Sequence, residues 1–263
     1  MRSVTQPLVL SLYFCLTVFA FSSILWLLED WSGEGALDIP INLPLSSLMA
    51  FFPLITACIF AYGKDKGAGI RNLFKRLINW SSVRRKSWCL AALLLMPAVL
   101  FVSYLYMSLM NYPLPTPDLH LPMIPIFFAF FLIGAAGEEA GWMTFVIDPL
   151  QQRWSALTTG MICGAVWAVW HIVPFIHAGH DTAWIVWHCL VTVLLRIVIV
   201  WIYNNTGRSV TMAILFHASA NVGFFLFPNY GSHYDPAVTG IVLAVIVGII
   251  VFIWGVQLTG AKK

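Results

Sequence analysis

Residues 121–147 read LPMIPIFFAFFLIGAAGEEAGWMTFVI. The run is long enough to cross a bilayer, which takes about 20 mostly apolar residues. Its only charges are Glu138 and Glu139, side by side near its end. Insertion scales put a charged side chain at the bilayer centre at roughly 2.5–3.5 kcal/mol, so an acidic pair there is a candidate for function. Gly134, Gly137 and Gly141 remove side-chain bulk around the pair and let neighbouring backbones come close.

Comparable runs fill the rest of the chain. Candidate spans are 8–28, 46–62, 88–110, 121–147, 155–176, 183–203, 209–228 and 236–257. The expected fold is therefore all-α: a polytopic membrane protein of about eight transmembrane helices, forming one domain over 1–263. Composition agrees, with 60% hydrophobic and 10% charged residues, where soluble domains carry about 25% charged. Disorder, a coiled coil, a disulfide scaffold and an ordinary soluble enzyme are excluded on that ground. The N-terminal run is too long for a signal-peptide core and is followed by no AxA site. Cys15, Cys58, Cys89, Cys163 and Cys189 lie in apolar runs without a CxxC pair and read as buried small hydrophobes.

Basic residues orient the spans. Eight of the 14 Lys and Arg residues fall in one loop, 64–86. Placing this loop in the cytoplasm puts Arg2, Arg153, Arg208, Lys262 and Lys263 there too, with both termini. The opposite loops carry Glu29, Asp30, Glu34, Asp38, Asp118, Asp181 and Asp235 and no Lys or Arg. The basic loop reads first as a topology signal. A surface helix is the second reading, since Ile70, Leu73, Phe74, Leu77 and Ile78 recur at helical spacing.

The ionisable groups inside spans are Glu138, Glu139, His171, His188, Arg196 and His217, with Asn221 as a polar neighbour. Adjacent helical residues point about 100° apart, so one glutamate is expected to face a site and the other to find its own partner. An ion pair with Arg196 accounts for one of them. Trp167 and His171 share a face at i, i+4, as do His217 and Asn221. His188 reads as a packing residue, and His177, His180 and His233 lie in outer loops without an assigned role. At 1.5 Å per residue, Glu138, His217 and Asn221 lie roughly 14, 12 and 18 Å from the cytoplasmic end of their spans, but His171 roughly 24 Å. On this count His171 sits too deep.

A carboxylate and a histidine can deprotonate water, and a second histidine with an asparagine can donate to an oxyanion. Alternatively Glu138, His171 and His217 make a three-ligand set for zinc or another divalent metal, with a position left for water. Both routes end in attack on a carbonyl, most simply a peptide bond. HExxH and GxSxG motifs are absent, and Ser219 does not share the face of His217 and Asn221.

These motifs resemble those of the CPBP family of intramembrane proteases, which includes CAAX prenyl endopeptidases and bacteriocin-processing or immunity (Abi-like) proteins. The family pattern is EExxxR, then FxxxH, then HxxxN. Glu138-Glu139, Trp167 to His171 and His217 to Asn221 follow it in order within a motif-bearing core of about 121–228. The resemblance implies that Glu138 and His171 activate water, that His217 and Asn221 stabilise the oxyanion or assist a metal, and that Glu139 supports. It implies metalloprotease or metal-free glutamate chemistry, on a site facing the cytoplasm. The motif arginine falls at Met143, so Arg196 is the candidate replacement cation, and Trp167 replaces the motif phenylalanine.

The expected partners are a prenylated or otherwise membrane-associated peptide or protein and the bilayer itself, with no nucleic acid. The abundance of the resembled family in bacteria points to the inner membrane. Oligomeric state and substrate identity are not written in the sequence. Two rival readings share the same residues: a proton- or ion-coupled transporter, and a catalytically inactive relative that acts as an immunity or sequestering protein.

Overall fold

The computed structural model describes residues 5–32, 45–117, 121–228, 231 and 233–260. Of the residues used to orient the chain, Arg2, Glu34, Asp38, Asp118, Lys262 and Lys263 lie outside these, as do both termini. All regular secondary structure among the described residues is helical. α1 is Thr5–Ser32, and a 3-10 turn, Leu45–Phe51, leads into α2, Phe52–Leu77. α3 is Ser87–Leu109 and α4 is Ile124–Gly141. A π-helix, Trp142–Ile147, and one turn, α5 (Asp148–Leu150), extend α4. α6 (Ala156–His177), α7 (Thr182–Asn205), α8 (Val210–Leu226) and α9 (Pro236–Trp254) complete the bundle.

Each of the eight candidate spans corresponds to one helix of this set. Seven are long and apolar enough to cross a membrane, and α8 is a shorter apolar helix. The protein is a multi-pass integral membrane protein. Caps fix several helix starts. Ser155 Oγ accepts from Thr158 N, Asp181 from Trp184 N, Ser209 from Met212 N and Asp235 from Ala237 N and Val238 N. Each satisfies a backbone donor that has no intrahelical partner.

α7, the span with an arginine in it, is the most enclosed of the seven. It packs against α6 and α9, while α4 lies against α2 and α8, and α8 against α3. Arg196 is thus surrounded by protein rather than lipid, which is how a chain retains an intramembrane charge. The GxxxG of α6 brings α6 and α7 close. A Cβ on Gly160 or Gly164 would come within 3.1 Å of Ile197 Cα and 2.8 Å of Val193 Cα.

The glycines around the acidic pair work in the same way, with one exception. A Cβ on Gly137 would lie 2.7 Å from Ala50 O, and one on Gly141 would lie 2.5 Å from Pro53 O, whereas Gly134 faces open space. Gly141→Ala is therefore expected to destabilise the protein by about 1–3 kcal/mol through overpacking. Gly134→Ala should leave the thermal midpoint in detergent unchanged. Equal midpoints for the two variants would show that α4 and α2 do not pack as described.

The basic segment corrects an expectation. It is not a plain topology loop, because α2 continues through it to Leu77 after a break at Asp65 and Lys66, where Lys66 has φ 52°. The second half folds back so tightly that a Cβ on Gly69 would collide with Ala61 O. Leu73 is buried on its inner face, while Phe74 and Ile78 are exposed. Arg76 then ties it to the bundle, donating to Asp148 (2.7 Å), Tyr203 Oη (2.8 Å) and Thr144 Oγ1 (3.2 Å). All five cysteines are free; Cys163 alone is fully buried, and the others are half-buried.

Candidate active site

Glu138 and Glu139 occupy the last full turn of α4 and are both buried. Their directions diverge as adjacent helical positions must. Glu139 points to α7 and α8: Arg196 Nη1 donates to its Oε2 at 2.6 Å, and His217 Nδ1 contacts its Oε1 at 2.9 Å. Neither Glu139 nor the Arg196 side chain has measurable exposure. Glu138 points to α6, where the Trp167 indole N–H donates to its Oε2 at 2.7 Å. Its Oε1 faces His217 Nε2 at 3.9 Å. One imidazole therefore stands between the two carboxylates.

Trp167 organises the set. Its ring centroid lies 5.1 Å from that of His217 and 5.4 Å from that of His171, and the Arg196 guanidinium lies over it at 4.1 Å. Such a cation–π contact adds to the ion pair that holds the guanidinium. A phenylalanine would keep these ring contacts and lose the hydrogen bond to Glu138. The sequence pattern identified the aromatic but missed its role as donor, which the indole N–H of tryptophan could have signalled.

His171 leans back along its own helix. Helical side chains lean toward the N-terminus and cover the preceding turn, and His171 Nδ1 bonds back to Trp167 O at 2.8 Å. The imidazole is thereby held against Trp167, the residue that donates to Glu138. A carbonyl only accepts, so His171 Nδ1 carries the proton and Nε2 keeps a lone pair in the neutral ring. Asn221 is half-buried one turn beyond His217 and, among the described residues, makes no hydrogen bond to this set.

Among the described residues, no three His, Cys, Asp or Glu side chains are placed to hold a metal ion. Glu138 has Oε2 committed to Trp167 and each imidazole has Nδ1 committed elsewhere, which leaves Glu138 Oε1 and the two Nε2 atoms as the open positions of the set. Met143, at the motif-arginine position, is fully buried in the π-helix. The cation on Glu139 comes from α7 instead.

The histidines outside this set also have partners. His188 receives a 3.2 Å contact from Tyr234 Oη and packs on Trp184, Phe175 and Phe224, as a packing residue should. His177, which had no assigned role, lies 2.9 Å from Asp30 Oδ1 and 3.3 Å from Glu29 Oε2 and joins the ends of α1 and α6.

The fold and this buried set define a multi-pass helical membrane protein with acidic, imidazole and guanidinium groups gathered inside the bundle. Residues 120–223, which hold every member of the set, match the family model described as type II CAAX prenyl endopeptidase Rce1-like. CAAX prenyl protease 2 of Methanococcus maripaludis is 28% identical over 231 residues, covering 80% of this chain and 82% of its own. The motif-bearing core is thus similar to the Rce1-like type II CAAX prenyl endopeptidases.

Proposed function

We propose that the protein is an intramembrane endopeptidase that hydrolyses a peptide bond of a prenylated or membrane-associated peptide with water activated by Glu138. The observation that carries this reading is the 3.9 Å gap between Glu138 Oε1 and His217 Nε2. It is too long for a direct hydrogen bond and suits one bridging water. The remaining polar atoms of both side chains are already committed, so the gap is their free side.

The steps follow from the protonation pattern. Glu139, ion-paired with Arg196, accepts from His217 Nδ1–H and so turns Nε2 toward Glu138. His217 Nε2–H then donates to the oxygen that develops negative charge as the scissile carbonyl is attacked. Glu138, fixed through Trp167, takes the proton from water, with the His171 Nε2 lone pair as auxiliary acceptor. The hydroxide adds to the carbonyl carbon, the C–N bond breaks, and the proton held by Glu138 passes to the leaving amine. Asn221 serves as a second oxyanion donor. The basic face of the bundle, at the π-helix end of α4, is the cytoplasmic face, and the membrane is a bacterial inner membrane.

The test is cleavage in proteoliposomes of two lipid-anchored peptides, one ending in a farnesylated CAAX sequence and one unprenylated. Release of the C-terminal fragment by the wild type is expected. Absence of cleavage of both peptides would overturn the reading, and ion flux without hydrolysis would replace it with transport. Trp167→Phe preserves the ring and removes the N–H, so the carboxylate loses one donor. Cleavage is expected to slow by about tenfold, the order of one buried hydrogen bond, with KM little changed.

A further inference from the structure

A cleft of about 700 Å³ opens on the basic face, away from the glutamate pair. It lies between the start of α1, the folded-back half of α2, and the π-helix with α5. Leu8, Leu10 and Phe145 form an apolar wall, and Lys64, Arg76 and Arg153 supply cations. Asp65 and Asp148 also line it. Asp148 is shared by Arg76 and, at 3.7 Å, Arg208. Three cations thus line the cleft with two carboxylates, one of which Arg208 also neutralises from outside the lining. Among the described residues, Lys64 and Arg153 have no side-chain partner.

Exposed aromatic rings mark the depth of this cleft. Trp154 follows Arg153, Tyr62 precedes Lys64 by two residues, and Trp80 lies just past the folded-back helix; all three are exposed. Tryptophan and tyrosine concentrate where bilayer and water meet. Phe74 and Ile78 extend the same exposed apolar edge. An anion reaching the cleft at that depth meets two unpaired cations on its polar side and hydrocarbon on the other.

We infer that this cleft binds a phosphate-bearing anion, the headgroup of an anionic phospholipid. The phosphate lies between Lys64 and Arg153, and the glycerol end of the acyl chains runs along Leu8, Leu10 and Phe145. A soluble phosphate would use the same cations but leave the apolar wall uncovered. The site is independent of the proteolytic reading, and its test reads lipid retention rather than cleavage.

The full chain is purified in neutral detergent and offered phosphatidylglycerol or phosphatidylcholine of the same acyl composition, and the adducts are counted by native mass spectrometry. Phosphatidylglycerol is expected to be retained in preference to phosphatidylcholine. Lys64→Gln/Arg153→Gln is expected to lose about tenfold or more of that retention, the order of two interfacial cations removed. Arg71→Gln/Lys75→Gln removes two exposed cations outside the cleft and is expected to retain the lipid as the wild type does. Equal retention of the two lipids, no loss in the cleft variant, or an equal loss in the Arg71/Lys75 variant would overturn the site. Displacement of phosphatidylglycerol by inorganic phosphate would overturn the lipid as its source. Thermal midpoints of both variants near the wild-type value show that retention, and not folding, is being read.

Discussion

Glu138→Gln is expected to lower the rate of peptide cleavage by a factor on the order of 10³, within the range for loss of a general base, and to leave the bundle intact. The amide is nearly isosteric, and its carbonyl oxygen still accepts the Trp167 indole N–H that now holds Oε2 at 2.7 Å. It cannot take a proton from water. The fall should therefore appear in kcat with little change in KM, since the residue acts on the reacting water and not on the bound peptide. Wild-type turnover by a well-folded Glu138→Gln protein would remove Glu138 from the chemistry. Glu139→Gln is a different experiment, because that carboxylate balances a buried cation.

Arg196→Met is expected to destabilise the protein by about 3–5 kcal/mol, the cost of stranding one member of a buried ion pair. Arg196 and Glu139 have no measurable side-chain exposure, and their 2.6 Å contact crosses from α7 to α4. With the guanidinium gone, Glu139, which has no exposure of its own, faces only His217. Arg196→Met/Glu139→Gln should recover much of the loss, because the stranded charge is then removed as well. Thermal unfolding in detergent across the four proteins yields the coupling energy. Additive effects of the two substitutions would mean that the pair does not form as described. A stable Arg196→Met protein with full activity would also end the role of Arg196 as the cation that replaces an arginine at Met143.

Much of the architecture was legible before any contact was known. Apolar length alone placed the eight helices, because each residue partitions between lipid and water largely on its own account. The second glutamate was correctly expected to need a separate partner, since 100° between neighbours forbids a shared direction. The basic segment was less legible. Its charge was read as an orientation signal, but Arg76 is spent on Asp148, Tyr203 and Thr144, which lie far away in sequence. The π-helix after Glu139 left no mark in the residue pattern, because widening a helix by one residue per turn preserves its apolar surface.

The membrane class, the helical content and the short list of polar groups that lipid would not tolerate were all readable from the residues alone. Each of these follows from the transfer cost of single residues and from the local helical period. Only the tertiary structure decided the pairings: Glu139 with Arg196, Glu138 with Trp167, and His217 between the two carboxylates. It also set the ring of His171 against Trp167, with its Nδ1 on the Trp167 carbonyl. These arrangements depend on where four helices cross and how each side chain leans. Distances of a few ångströms between residues 29 to 78 positions apart in the chain are set by packing and not by any local preference.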